Sequence, residues 1–267
     1  MDGALGAVVL NREIESPAIE SAVVVVPCYN EEKRLNGQEF LDFLGDDRSF
    51  HFLFVNDGSK DGTASVLEKL CARAPDNLRW LDLDRNRGKA EAVRRGVLMA
   101  LTEAPGAIAF WDADLATPLS ELPAFAEVLQ RKPQLEVVVG SRVRLMGRRI
   151  DRKLTRHLLG RVFATVASLT LGLPFYDTQC GAKMFRVTQH TEELFAQEFG
   201  SRWLFDVEIC ARLIRAMGHE AVGRAIYEYP LREWLDVEGS KLHKRDFLRA
   251  AVELHGIYRK YPELRDR

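Results

Sequence analysis

The chain has 267 residues, 46% of them hydrophobic, enough to bury a sizeable core as one large α/β domain. Lys and Arg total 38 against 39 Asp and Glu, so no global field draws it to nucleic acid, and anion binding must be local. The four cysteines, Cys28, Cys71, Cys180 and Cys210, lie far apart with no paired spacing, which excludes a zinc site and fits reduced core thiols in a cytosolic protein.

Residues 1–20 are read as an N-terminal arm without a secretory signal. The longest uncharged stretch, Val162 to Tyr176, is too short to span a bilayer. Ala22–Val26 is β-branched enough for a central strand, which Pro27 is expected to end. Tyr29, Asn30 and Glu31 follow at its rim. Phe50–Val55 is a second strand running into Asn56-Asp57-Gly58, an acid and a glycine turn before a helix to about Ala74. Leu78–Leu83 is a third strand. Asn86-Arg87-Gly88-Lys89 then opens a helix to about Thr102, and basic groups at a helix N-terminus make sense where an anion sits against free N–H groups.

Ile108-Ala109-Phe110-Trp111-Asp112-Ala113-Asp114 is an apolar run ending in two acids one residue apart. It reads as a buried parallel strand whose carboxyl end carries both acids, where open α/β sheets bind ligands. Paired hard oxygens suit a divalent cation holding a diphosphate; one Asp alone would serve as a helix cap. Helical crossovers between apolar strands predict an α/β fold with a mainly parallel central sheet and helices on both faces. No G-x-G-x-x-G follows the first strand and no P-loop occurs, which argues against dinucleotide and P-loop chemistry.

Leu119–Leu129 is a helix and Leu135–Val139 a strand. The chain then turns basic, with Arg142, Arg144, Arg148, Arg149, Arg152, Lys153, Arg156 and Arg161 and little acid among them. From there Leu154, Leu158, Leu159, Val162 and Val166 share one helical face, an amphipathic pattern suited either to anionic headgroups or to packing on the sheet. Asp177–Gly181 is a turn into a strand. Ser201–Glu208 begins a helix to Met217, where the dipole alone accounts for Asp206 and Glu208 in its first turn. Two strands are expected at Ala221–Ile226 and Tyr229–Trp234. A terminal helix follows Glu238-Gly239-Ser240-Lys241, with Phe247, Leu248, Ala251, Leu254 and Tyr258 on one side.

Taken in order, Val26-Pro27-Cys28-Tyr29-Asn30-Glu31, Asp112-Ala113-Asp114, Asp177-Thr178-Gln179-Cys180-Gly181, Arg202-Trp203-Leu204-Phe205-Asp206-Val207-Glu208 and Gly239-Ser240-Lys241 resemble the family 2 glycosyltransferases of the GT-A fold. Within them the set looks most like the polyprenyl-phosphate branch, closest to the dolichyl-phosphate β-glucosyltransferases and less close to the mannose-phosphate synthases. The resemblance implies a single GT-A domain over 21–267, with a nucleotide-binding half at 21–117 and an acceptor-binding half at 118–267 carrying amphipathic helices near 150–173. It implies that Pro27, Tyr29, Asn30, Glu31 and Asp57 surround base and ribose, with Lys89 near base or diphosphate. Asp112 and Asp114 would hold Mg2+ or Mn2+ against the donor diphosphate. Arg142, Arg152 and Arg156 would grip an acceptor phosphate, and Lys241 would approach the leaving diphosphate. Asp206 would position a substrate, or act as general base if the acceptor were a hydroxyl.

The expected activity is inverting transfer of a hexose, best matched by glucose from UDP-glucose, to a polyprenyl or dolichyl phosphate. A soluble hydroxyl acceptor and a non-catalytic nucleotide-sugar-binding module are the alternatives. The expected location is cytoplasmic, peripheral on the inner face of a membrane. Three positions depart from the family pattern: Ala116 stands where the mannose branch often has a third metal ligand, Ala182 where a Phe is usual, and the first twenty residues show no membrane anchor of the eukaryotic kind.

Overall fold

The computed structural model describes residues 19, 21–152, 154–236 and 244–265, and at 154–156 and 244–248 the backbone course only. The elements run β1 (Ala22–Cys28), α1 (Gly37–Asp46), β2 (Phe50–Asn56), α2 (Thr63–Cys71), β3 (Leu78–Asp82), α3 (Lys89–Leu101), β4 (Ala107–Trp111), α4 (Leu122–Arg131) and β5 (Val137–Ser141). They continue with β6 (Arg149–Asp151), α5 (Leu154–Leu171), β7 (Ala182–Arg186), α6 (Gln189–Ala196), α7 (Phe205–Met217), α8 (His219–Ala225), β8 (Ile226–Pro230), β9 (Glu233–Leu235) and α9 (Lys244–Lys260).

Seven strands form one sheet in the order β3-β2-β1-β4-β7-β5-β8, parallel except for β7, which runs antiparallel to both of its neighbours. The alternation of side chains in β1 sends Val23 and Val25 into one apolar layer and Ala22, Val24 and Val26 into the other. Helices α3, α6 and α7 cover the first face; α1, α2 and α4 cover the second. The expected mainly parallel sheet with helices on both faces is therefore present. Phe110 and Trp111 in β4 are fully buried, and burial of a side chain such as Phe110 contributes roughly 1.5–3 kcal/mol. Gly96 lets α3 lie close on the sheet, because a Cβ there would run into Val25 and Val55.

Four expectations are corrected. Pro27 does not end β1, which pairs with β2 as far as Cys28–Asn56; β1 pairs with β4 only up to Val25–Phe110, so Pro27 lies beyond that ladder and its missing N–H costs no rung there. Residues 221–225 are helical, since Gly218, at φ +81°, turns the chain from α7 straight into α8, and a short apolar run does not separate helix from strand. Tyr229–Trp234 is not one strand: β8 stops at Pro230, and Glu233–Leu235 pairs with β6 in a separate two-stranded ribbon. On α9 the buried positions are Ala250, Leu254 and Ile257, while Ala251 is exposed; Phe247 and Leu248 lie outside the described side chains.

The order 3-2-1-4 reverses direction between β1 and β4. Parallel sheets bind ligands at such a switch point, outside the strands' carboxyl ends. Tyr29 and Glu31 leave β1 there, and Asp112 and Asp114 leave β4 beside them.

Candidate active site

The Asp pair stands on a tightly held turn. The buried Trp111 donates its Nε1–H to Thr117 O at 2.7 Å, pinning the segment between. Leu115 N–H donates to Asp112 O at 3.2 Å, and Asp114 Oδ1 accepts Ala116 N–H at 3.1 Å. Leu115 is left at φ +50°, a strained setting for a branched side chain and of the kind that collects at functional tips. Burial, then the neighbouring Asp112 charge, pushes the Asp114 carboxyl above its ordinary value. Asp112 is ion-paired with Lys89 at the start of α3. Burial works against the Lys89 charge, but Asp112, Asp206 and Asp114 outweigh it and hold the ammonium above the usual lysine value.

A cleft of about 320 Å³ opens over this edge, lined by Pro27, Tyr29, Glu31, Asp57, Lys89, Asp112 and Asp114 among others. Seven of the eight expected donor residues thus meet in one place. Asn30 does not line it. At φ +55° it accepts Lys60 N–H at 2.9 Å and donates its own N–H to Ser59 Oγ, fixing the turn after β2 against the tip of β1. Glu31 pairs through Oε1 with Arg34 at 2.5 Å, while Oε2 is buried with no partner among the described residues, and burial raises its carboxyl. Asp57 accepts Arg87 N–H at 2.7 Å and Gly88 N–H at 2.8 Å, clasping the β3–α3 loop, so both oxygens already serve backbone amides.

A second cleft of about 360 Å³ shares Lys89 and Asp112 with the first. Arg142, Arg152, Arg202, Gln179 and Asp206 give it a polar wall; Leu159, Phe163, Trp203, Leu204, Phe205 and Ala250 give it an apolar one. Arg152 is half-buried, and among the described residues its guanidinium pairs with no carboxylate. Arg142 differs from the expected free phosphate ligand. Its Nε and Nη2 grip Asp177 at 2.6 and 2.8 Å, and the guanidinium lies 5.4 Å over the Trp234 ring. Burial would raise the Asp177 carboxyl, yet Arg142 overrules it and holds it far below the usual range. The Arg156 side chain and Lys241 lie outside the described residues.

Asp206 is bound at Oδ1 by Lys183, a lysine 2% exposed that also donates to Cys180 O at 2.8 Å and Thr178 O at 3.2 Å. Sequence reading misses Lys183, because Ala-Lys-Met-Phe-Arg reads as any strand with its polar residues outward. It also gives Glu208 only a dipole role. Glu208 is fully buried and gathers Gly200 N–H (2.8 Å), Ser201 N–H (3.1 Å), Lys260 (2.7 Å) and Tyr261 OH (2.8 Å), so it ties the loop carrying Arg202 and Trp203 to α9.

Could the residues present hold a divalent ion? Two carboxylates one residue apart, Asp112 facing the Lys89 ammonium and Asp114 made costly to ionise by burial and by its neighbour, are hard oxygen donors that fit Mg2+ or Mn2+. No cluster of three or more His, Cys, Asp or Glu side chains suited to a metal occurs among the described residues, so remaining ligands must come from water and substrate.

A charged cleft at the switch point of a mainly parallel sheet, with an acidic pair and a lysine at its rim, has the chemistry of an α/β site suited to a polyanionic ligand together with a cation. The chain belongs to glycosyl transferase family 2, whose model matches residues 23–191. A dolichyl-phosphate beta-glucosyltransferase of Homo sapiens is 34% identical over 241 residues, covering 82% of this chain and 68% of the relative. One of Trichomonas vaginalis is 30% identical over 251 residues, covering 90% and 71%. Among solved structures, glucosyl-3-phosphoglycerate synthase from Mycobacterium tuberculosis, in complex with Mn2+, UDP and glucosyl-3-phosphoglycerate, shares the fold at TM-score 0.60 and 17% identity, covering 89% of this chain and 78% of that one. The mannosyltransferase PcManGT from Pyrobaculum calidifontis, with GDP-Man and Mn2+, does so at 0.58 and 20%, covering 91% and 68%.

Proposed function

We propose that this chain is an inverting hexosyltransferase that moves glucose from UDP-glucose to a polyprenyl phosphate such as dolichyl phosphate. The observation that carries the reading is the pair of clefts meeting at Lys89 and Asp112, one ringed by strand-tip polar groups and the other with a polar wall rich in arginine facing an apolar one. All the lining residues of the first cleft fall within 27–114, which supports a donor half at 21–117; most of those of the second fall within 142–250, which supports an acceptor half at 118–267. The curated relatives named above act on dolichyl phosphate and glucose by their names.

The nucleoside lies along Pro27, Tyr29, Glu31 and the loop that Asp57 clasps, and the diphosphate lies over Asp112 and Asp114. Asp112 and Asp114 would hold a divalent cation, which would supply Lewis-acid neutralisation of the departing diphosphate. Lys89 gives that same edge a fixed positive charge. In the second cleft Arg152 and Arg202 meet the acceptor's phosphate, and Leu159, Phe163 and Trp203 meet the start of its hydrocarbon. A phosphate monoester has a second pKa near 6 and is mostly ionised at neutral pH, so its oxygen attacks without a general base. Asp206, already ion-paired with Lys183, then serves to hold position. Attack from the face opposite the diphosphate inverts the anomeric carbon, giving a β product from an α donor.

Labelled UDP-glucose incubated with polyprenyl phosphate and Mn2+ should send label into the organic phase. Label that stays aqueous with every lipid phosphate tried defeats the reading. Arg152→Ala should raise the acceptor KM by about 10- to 100-fold, as loss of a charge-assisted bond worth about 1.5–3 kcal/mol requires, with the donor Kd unchanged. Steady-state kinetics in both substrates checks this; equal losses for donor and acceptor would assign the basic segment to the nucleotide.

No helix among the described residues is long and apolar enough to cross a membrane. The face of α5 expected from the sequence is nonetheless exposed at Leu158, Val162 and Val166, and Met146 projects wholly into solvent beside Arg144 and Arg149. We read this surface as resting on an anionic leaflet at the cytoplasmic side, where the second cleft receives its lipid. Cosedimentation with anionic liposomes should decline as salt rises. An absence of cosedimentation at low salt would remove the membrane contact.

A further inference from the structure

Three of the charged residues that line the second cleft come from different elements: Arg142 after β5, Asp112 after β4 and Asp206 in α7. Each is held by a residue of one short stretch, Arg142 and Asp206 through their side chains and Asp112 through its backbone N–H. Asp177, 5% exposed, takes the Arg142 guanidinium through both of its oxygens. It is itself held from behind, since Glu228 accepts the N–H groups of Tyr176 and Asp177 at 2.7 and 2.8 Å. Gly181 accepts Asp112 N–H at 3.0 Å, and a Cβ on Gly181 would fall inside the Asp112 carboxylate. Lys183 spans back to the Thr178 and Cys180 carbonyls and out to Asp206, closing the stretch on itself.

We propose that Asp177–Lys183 is a positioning frame for the transfer, setting the Arg142 guanidinium and the Asp112 and Asp206 carboxylates in one register, with Gly181 admitting the Asp112 side chain to the wall between donor and acceptor. Asp177, Gly181 and Lys183 line neither cleft. The frame acts because β7 is the antiparallel strand inserted between β4 and β5, so the turn entering it reaches the carboxyl ends of both neighbours. Tight geometric control of this kind matters because misplacing a reacting group by about 1 Å costs on the order of 100-fold in rate. The proposal rests on the reading that the two clefts hold donor and acceptor, and its first test does not depend on that reading.

The first test is a double-substitution cycle read by thermal unfolding of the metal-free protein. Gly181→Ala should lower Tm, and adding Asp112→Ala should restore it to the value of Asp112→Ala alone, because the obstructing carboxylate is gone. Additive losses overturn the contact. The second test separates ligands. Gly181→Ala should weaken binding of UDP with Mn2+, measured by calorimetry, by about tenfold or more, whereas Asp177→Asn should leave that Kd unchanged and raise the acceptor KM by about tenfold or more. If Asp177→Asn does not fold, Asp177→Glu, which keeps the charge and moves Arg142, should show the same split. Parallel loss of both ligands in the two variants makes the stretch merely structural and overturns the proposal. Failure of the wild-type protein to bind UDP with Mn2+ overturns the frame's catalytic role together with the donor reading, while the thermal cycle still decides whether Gly181 makes room for Asp112.

Discussion

Asp114→Ala should lower turnover by about 10²–10³-fold, the loss seen when one group stabilising developing charge is taken from a reaction centre. The expectation rests on position: Asp114 stands at the switch point, on a turn pinned by Trp111 and strained at Leu115, with a carboxyl that burial and Asp112 make costly to ionise. A second consequence concerns stability. A carboxyl whose folded pKa is raised binds its proton more tightly in the folded state, so its contribution to stability falls as pH climbs from the ordinary 3.8 through the higher folded value. Above that window the metal-free protein carries the full cost, and Asp114→Asn should melt no lower than wild type at neutral pH. Initial rates and thermal melts check both halves. Turnover near the wild-type rate would show that Asp114 has no part in transfer.

Glu208→Ala should cost about 3–5 kcal/mol, the range for removing one partner of a buried charged network. Glu208 is fully buried, and its loss leaves Arg212, which is 3% exposed, with carbonyl partners but without its carboxylate, and frees the amides of Gly200 and Ser201. Burial alone would raise this carboxyl, but hydrogen bonds from Lys260 and Tyr261 and the Arg212 charge bring it below its ordinary value. Its stabilisation is therefore complete above about pH 4.5 and is lost as pH falls through the lower folded pKa. Urea unfolding should show a wide gap between wild type and Glu208→Ala at neutral pH that narrows in acid. A gap that is small, or that does not vary with pH, would deny the residue its anchoring role.

The edge proposed to hold the donor was legible because its signals are local. An apolar run halting at Asp-Ala-Asp announces a strand's carboxyl end, a glycine beside a lysine announces the start of the helix that follows a strand, and once the strands are parallel such ends must converge. The cleft proposed for the acceptor was less legible because its partners are distant in sequence. The basic segment suggests that an anion is wanted nearby, but not that Asp177 claims the Arg142 guanidinium while Arg152 forms no ion pair with a carboxylate among the described residues. Lys183 and Glu208 are ion-paired in the interior, and nothing in their own neighbourhoods tells such a residue from a surface one. Residues 219–225 misled for a different reason: a seven-residue helix is too short to display its period, and only the turn at Gly218 decides it.

The central claim is that Asp112 and Asp114 hold a cation against the diphosphate of an activated sugar. Crystals grown with UDP and Mn2+ and recorded at the manganese absorption edge test it most directly. The account predicts an anomalous peak between the Asp114 carboxylate and the UDP diphosphate, with Lys89 drawn off Asp112. A peak elsewhere, or UDP bound away from the β1 and β4 tips with the Lys89–Asp112 pair intact, would contradict it.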